Sequence, residues 1–413
     1  MCSPPVMIFA PPPAEVGDIL FRVIERGFFM LKKKQNRLQS LDAFRGLVIV
    51  CMLLVNSLPN FDEAYPILLH SHWEGITLAD LAFPGFIFAM GTAGAFFFPK
   101  HGHESSREIF GLLLRRGLLL IVLGLCLNQV PLILHHFLSP DGNGTNLLAQ
   151  IWEQGRIPGV LHRLGLVYFC GLLLTWQLKR DSSLYAAATV LLLLASAGFH
   201  LYAPQSPFSP DHNISMAMDE IFPGSAHCYL GKEFDPEGLY GTMSATASML
   251  FGILAGRHLT AAGAAHAHRL RLLSLSGTIL LVAGLLWSQV DIVCKSLWTA
   301  PYALLTSGLF MWLLCLLELL FSYRTDFAQH LFAPCQWFGK NALLFYILPE
   351  VALMSLWTLK SPAGNELYAW LWSVTVMDIW DPPFSILLFS LLWIAMWLPL
   401  ARYLHRHNII LRA

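Results

Sequence analysis

Apolar runs close to twenty residues long return along the whole of this chain, and that repetition decides its fold class before any single residue is considered. A helix needs ~20 predominantly apolar residues to cross the hydrocarbon of a bilayer, where every backbone N–H and C=O must be satisfied internally. Composition agrees: of 413 residues, 56% are hydrophobic and 13% charged, whereas a soluble globule carries about 25% charged residues. The sequence therefore predicts an all-α polytopic membrane protein. Ten spans are expected, at about 43–58, 77–98, 112–131, 158–177, 183–202, 239–258, 270–290, 297–321, 337–357 and 384–404. The piece 366–378 is too short to cross comfortably and reads as interfacial or re-entrant.

Lysine and arginine set an expected orientation. With the N-terminus in the cytoplasm, the inner side receives Lys32, Lys33, Lys34, Arg37, Lys100, Arg107, Arg115, Arg116, Lys179, Arg180, Arg257, Arg269, Arg271, Arg324, Arg402, Arg406 and Arg412. The outer side receives chiefly Arg156, Lys232, Lys295 and Lys360, the asymmetry that the positive-inside rule requires. Both termini are then cytoplasmic, as tails over 1–36 and 409–413 flanking one transmembrane domain over 37–408. The apolar stretch before Met30 is interrupted by Arg22, Glu25 and Arg26 and lacks a small-residue cleavage site, so it does not read as a signal peptide. The long loops 59–76, 132–157, 203–238 and 359–383 fall outside and are rich in Asp, Glu, His, Trp and Pro. A polar acceptor site is expected on that face, because loops on a rigid scaffold carry function. Asn143 and Asn213 head tripeptides of glycosylation form, and Cys228 and Cys294 are the cysteines able to meet outside, their pairing left open. A net charge of zero gives no reason to expect nucleic acid.

Ionisable groups kept at membrane depth cost several kcal/mol unless paired or hydrated, so they mark candidate sites. The stretch HSHWEGITLADLAFPGFIFAMG, from His70 to Gly91, runs from a polar lead-in straight into an apolar helix that retains Asp80. A lone loop histidine is usually only solvated. Here His70 and His72 flank a position beside Trp73, and imidazole can relay a proton or carry an acyl group. Asp80 could orient such an imidazole. The first span opens with Ser40, Asp42 and Arg45, which read as a cap and a surface ion pair. Alternatively Arg45 joins Arg115 and Arg116 as inner cations for the phosphates of an anionic donor. That span ends at Asn56, 14 residues after Asp42, or roughly 21 Å of helix rise. Arg163 lies inside the outer end of another span and needs a carboxylate, for which Asp235 and Glu237 are candidates. Whether that cluster is a structural tie or touches substrate stays open. Lys295, Trp298, Asn341, Tyr346 and Glu350 add further groups at membrane depth. The His-x-His pairs 101/103, 266/268 and 405/407 lie on separate inner loops without ligand-spaced companions, so no metal is expected. A P-loop and a GxSxG elbow are absent from the sequence.

Five blocks in order, RLQSLDAFRGLVIVCMLLVN, HSHWEGITLADLAFPGFIFAMG, RIPGVLHRLGLVYF, FDPEGLYGTMSATASMLFGILAG and KSLWTAPYALLTSG, with a weaker sixth at FGKNALLFYILPE, carry a family resemblance. From about Arg37 to about Val351 the chain resembles the heparan-α-glucosaminide N-acetyltransferase-like membrane proteins, including compact bacterial relatives. The resemblance implies acetyl transfer from cytoplasmic acetyl-CoA, as co-substrate, to the amino group of a glucosamine-type sugar or glycan end on the far side. It implies a multi-pass protein of a bacterial cytoplasmic (inner) membrane, with lipid as a partner and a homodimer left open. The family's active histidine lies three residues before the block's Trp, which selects His70 over His72, and its asparagine corresponds to Asn56. The expected catalytic pair is then His70 and Asn56, supported by Asp80, His72 and Trp73, with His70 acting as general base or as acetyl carrier. Arg45, Arg115 and Arg116 would hold acetyl-CoA, and Arg163, Asp235, Glu237, Lys295 and Trp298 the sugar. His162 stands where relatives usually carry Gln, and Pro349 where some carry His. An amino-sugar transporter using the same cavity is the alternative.

Overall fold

The structure is a computed structural model and describes residues 38–138, 146–232, 234–261 and 265–411. The N-terminal tail with Lys32, Lys33, Lys34 and Arg37, the sequon at Asn143, and Arg412 lie outside the described residues. The described residues form helices and no strand, joined by turns and by longer loops such as 57–78, with one isolated bridge between Lys360 and Glu366. Its helices are α1 (Gln39–Asn56), α2 (Ala82–Gly94) entered through a 3-10 turn at Ala79–Leu81, α3 (Phe97–Lys100), α4 (Ser106–Leu138) and α5 (Leu147–Gln154). There follow α6 (Val160–Gln177), α7 (Asp181–Tyr202), α8 (Ile214–Ile221), α9 (Thr242–Leu259), α10 (His266–Trp287) and α11 (Ala300–Tyr323). The last are α12 (Thr325–Lys340), α13 (Ala342–Thr358), α14 (Leu367–Thr375) and α15 (Pro382–Arg406).

Every expected span falls on a helix. Among the described residues eight helices are long and apolar enough to cross a membrane, or nine if α12 and α13, bent by 79° at their junction, form one span. The protein is thus an all-α polytopic membrane protein with slightly fewer clear crossings than the ten expected. The difference lies in α9 and at the α12–α13 break.

Helix α9 carries many small and hydroxylated residues, and most of it is buried. It needs no apolar exterior because protein, not lipid, surrounds it. Its hydroxyls donate to carbonyls of the preceding turn, Thr246 Oγ1 to Thr242 at 2.7 Å and Ser248 Oγ to Ser244 at 3.3 Å. A β-carbon at Gly252 or Gly256 would strike the Phe88 or Thr92 carbonyl of α2, and one at Gly91 the Met249 carbonyl. Small residues thus let α2 and α9 approach backbone to backbone. By contrast α4, α7 and α10 expose apolar side chains such as Val122, Leu194 and Leu286, as lipid-facing helices should.

The expected span 337–357 is two helices. At the break, Asn341 Nδ2 donates to the Ile409 carbonyl at 2.9 Å and its Oδ1 accepts from Leu411 N–H at 2.8 Å. Those bonds tie the break to the segment that follows α15. The short piece expected at 366–378 is the nine-residue α14, whose Tyr368 hydroxyl donates to the Ser57 carbonyl beyond α1 at 2.7 Å. Asn213 is 1% exposed and caps α8, its side chain accepting from Ser215 and Met216 N–H, so that sequon is closed to modification.

Candidate active site

The central station is built around Asp80, which is 0% exposed in the turn before α2. A buried carboxylate must fill its lone pairs. Oδ2 accepts from Ser71 N–H at 3.1 Å, Thr77 N–H at 3.0 Å and Thr77 Oγ1 at 3.0 Å. Oδ1 lies 2.9 Å from His70 Nδ1. The backbone carbonyl of Asp80 accepts from the buried Tyr302 hydroxyl at 2.7 Å. Because a carboxylate can only accept, His70 Nδ1 carries the hydrogen. The Nε2 lone pair is thereby left open on a side chain that is 53% exposed. It is His70, not the exposed His72, that Asp80 holds. Trp73 anchors the same loop through Nε1, which donates to the Phe208 carbonyl at 2.9 Å, and its ring meets Phe234 edge to face.

Lys295 completes the station. Its Nζ lies 3.0 Å from His70 Nδ1, 3.2 Å from Nε2 and 3.6 Å from Asp80 Oδ1. Near-equal distances to the two ring nitrogens place the amine over the ring face, away from the in-plane Nε2 lone pair. Burial pulls the Lys295 pKa below the ordinary lysine value, against the opposing pull of the Glu237 and Asp80 charges. The turn presenting Lys295 is held by Trp298, whose N–H donates to the Lys295 carbonyl at 3.0 Å. Trp298 is 1% exposed with φ of 52°, a left-handed conformation that a bulky residue keeps only when its surroundings impose it. Edge contacts with Phe83 and Tyr302 supply that constraint.

Arg163 does not take the expected carboxylates. Its Nη2 donates to the Gly238 carbonyl at 2.6 Å, and its guanidinium stands over the Trp298 ring, 5.3 Å from the centroid. Its Nε and Nη1 are buried without a hydrogen-bond partner. Asp235 is instead gripped by Arg156, Nε at 2.9 Å and Nη2 at 2.8 Å, and Glu237 accepts from the same Nη2. Arg156 lies in the loop ahead of α6 and can offer its planar fork to both acids, whereas Arg163 is fixed one turn inside the helix. Asp235 and Glu237 therefore form an ion-pair cluster with Arg156. Cys228 and Cys294 are free thiols, each pushed up to about 12 mainly by burial.

Two features link this station to the opposite end of the helices. Asn56, the last residue of α1, donates from Nδ2 to Glu350 Oε2 at 3.3 Å. A cavity of about 430 Å³ is lined at its rim by Arg45, Lys100, Arg116 and Lys340 and deeper by Phe86 and Tyr346. Arg116 Nη1 donates to the Tyr168 hydroxyl there at 3.4 Å. Arg115 does not line it: one residue earlier on α4, it is rotated by about 100° and exposed. Sequence reading assigned no donor role to Lys100, counted only among the inner cations, or to Lys340, which falls inside the expected span 337–357. Tyr346 precedes Glu350 by one turn of α13, and Phe86 follows Asp80 by six residues, about 9 Å of rise. The Phe86 and Tyr346 end of the cavity is thus one to two helical turns along the chain from the two polar stations. Among the described residues no group of His, Cys, Asp and Glu could hold a metal ion.

Fold and stations together define a polytopic helical membrane protein with a cation-rimmed cavity at one end and a carboxylate-oriented histidine towards the other. No protein-family model matches the chain. It is similar to the heparan-alpha-glucosaminide N-acetyltransferase of Mus musculus, 28% identical over 276 residues, which cover 55% of this chain and 40% of the relative. It is also similar to the protein of that name from Homo sapiens, 34% identical over 136 residues, covering 32% of this chain and 18% of the relative. The chain therefore matches less than half the length of these curated relatives, and the resemblance is one of family.

Proposed function

We propose that this protein is a transmembrane acetyltransferase that moves the acetyl group of acetyl-CoA to the amino group of a glucosamine-type sugar on the opposite side of the membrane. The observation that carries the reading is His70, fixed by Asp80 with Nε2 open, lying towards the far end from a cavity rimmed by Arg45, Lys100, Arg116 and Lys340. Arginine and lysine at a rim suit phosphates, and the apolar walls below suit a pantetheine arm. The basic rim is the cytoplasmic end, following the distribution of Lys and Arg.

The chemistry then has named parts. The neutral acceptor amine attacks the thioester carbonyl carbon, forming the N–C bond. His70 Nε2 takes the amine's proton, and the C–S bond breaks to release the thiol, which receives a proton in turn. If His70 instead carries the acetyl group first, the same lone pair forms the bond. Asn56 has one Nδ2 hydrogen on Glu350 and a second available for the developing oxyanion, a contribution of a few kcal/mol when preorganised. Lys295 balances the buried Asp80 charge, and Arg163 and Trp298 support the turn that presents it.

The test uses purified protein in liposomes, with labelled acetyl-CoA and glucosamine on opposite sides. Labelled N-acetylglucosamine, lost in His70→Ala, is the expected result. Unmodified sugar crossing without acetyl-CoA would overturn the reading in favour of a transporter.

A further inference from the structure

We propose that Lys295 is itself an acetyl acceptor, so that acetyl-CoA without sugar leads the site to acetylate and close itself. The inference rests on the acetyltransferase reading above. A site that acetylates a primary amine holds one of its own: Lys295 Nζ is 3.2 Å from the Nε2 that would deprotonate the sugar amine. An acceptor nitrogen hydrogen-bonded to Nε2 at ~2.9 Å would lie within about 6 Å of Nζ. A thioester carbonyl poised for that acceptor is therefore within the swing of a four-carbon side chain.

The environment of Lys295 differs from that of other lysines expected on this face. Lys232 and Lys360 are exposed, whereas the Lys295 side chain is 17% exposed. Burial disfavours its ammonium and raises the share of the neutral, nucleophilic amine. Asp80 and Glu237 oppose that shift and limit the neutral share. In the step itself, neutral Nζ attacks the thioester carbonyl carbon and the C–S bond breaks. One N–H proton passes to His70 Nε2 and then to the departing thiolate, leaving acetyllysine and free thiol.

The consequence follows from what the amine contacts. An acetylated Lys295 loses the charge that faces Asp80 at 3.6 Å and adds an acetyl group where it meets the His70 ring. Protein held with acetyl-CoA alone should lose transfer activity irreversibly, and glucosamine should protect it by taking the acetyl group first.

The experiment incubates the full chain in liposomes with acetyl-CoA, with and without glucosamine, then reads residual activity and peptide masses. The expected result is time-dependent inactivation, with one added acetyl group on the Lys295 peptide that glucosamine prevents and Lys295→Arg lacks. A preparation that acetylates glucosamine when it is supplied, yet leaves Lys295 unmodified and keeps its activity with acetyl-CoA alone, would sink the inference and leave the enzyme reading standing. So would hydroxylamine-labile label confined to His70. If neither sugar nor protein is acetylated, the acetyltransferase reading falls and this inference with it.

Discussion

Replacing Asp80 by Asn tests the reading at one atom. Three donors, Ser71 N–H, Thr77 N–H and Thr77 Oγ1, converge on Oδ2. The single oxygen of Asn must occupy that position, which turns the amide Nδ2 towards His70 Nδ1. A donor facing an N–H forces the imidazole to move its hydrogen to Nε2 and to accept at Nδ1. The lone pair needed by the acceptor amine is then gone. The equivalent carboxylate-to-amide change in a serine protease triad lowers kcat about ten-thousand-fold through the wrong tautomer. The same loss here corresponds to about 5 kcal/mol of barrier. Stability should fall by less, about 1.5–3 kcal/mol, because the buried Lys295 ammonium loses its counter-charge while three bonds to the Oδ2 position and a neutral bond to His70 survive. The KM for acetyl-CoA should hold, since the cavity reaches α2 at Phe86, about 9 Å along the helix from Asp80. Proteoliposome kinetics with a thermal-unfolding control read all three quantities. A folded Asp80→Asn protein with kcat within about threefold of the parent, or a loss expressed only in the acetyl-CoA KM, would refute the tautomer argument.

Two further predictions separate the cavity and the acidic cluster from that site. Arg116→Ala should raise the acetyl-CoA KM about tenfold with kcat kept, the size expected for one charged hydrogen bond, while Arg115→Ala leaves KM unchanged; equal effects in the two would remove the cavity from donor binding. Asp219 is 0% exposed, Oδ1 has no hydrogen-bond partner, and burial raises its pKa from 3.8 to about 6. A carboxylate raised in the fold binds more protons folded than unfolded between those values, so the protein should gain stability as pH falls from 7 towards 4. The full effect is about 3 kcal/mol. Asp219→Asn should be more stable at pH 7 and lose that dependence, and an unaltered pH–stability profile would show that the carboxylate is not penalised.

The spans were legible because hydropathy reports membrane crossing directly, and the position of α9 was legible for the same reason. Its burial was not, because a helix lined with Gly, Ala, Ser and Thr differs from a lipid-facing one only in what packs against it. The break at Asn341 was equally silent, since the partners that hold its side chain there, Ile409 and Leu411, come from the far end of the chain. Arg115 and Arg116 could not be separated from sequence: α4 is apolar around much of its circumference, so no stripe shows which side faces the bundle. The partner of Asp235 was misjudged for a different reason. Arg156 and Arg163 are both far from it in sequence, and only the folded loop shows which guanidinium reaches it. His70 was chosen over His72 by resemblance, and the Asp80 contact supplies an independent physical reason for the same choice.

What joins the two ends of the proposed reaction is helix length rather than loop conformation. Helix α1 carries Arg45 at the cavity rim and, eleven residues on, Asn56 bonded to Glu350. Helix α13 carries Tyr346 in the cavity wall and Glu350 one turn further, and the segment leading into α2 carries Asp80 ahead of Phe86. Each of the three elements thus contributes one group to the cavity and one to a polar station. The separation along α1 is roughly 16 Å of rise, and a helix cannot alter such a spacing without also rotating its side chains by about 100° per residue. Close crossings hold the elements in register, at Gly46 against the Cys335 carbonyl of α12 and at Gly91 against the Met249 carbonyl of α9. A donor seated by its phosphates at the rim would therefore meet the oriented imidazole at a depth set by packed backbone, as near-attack positioning requires.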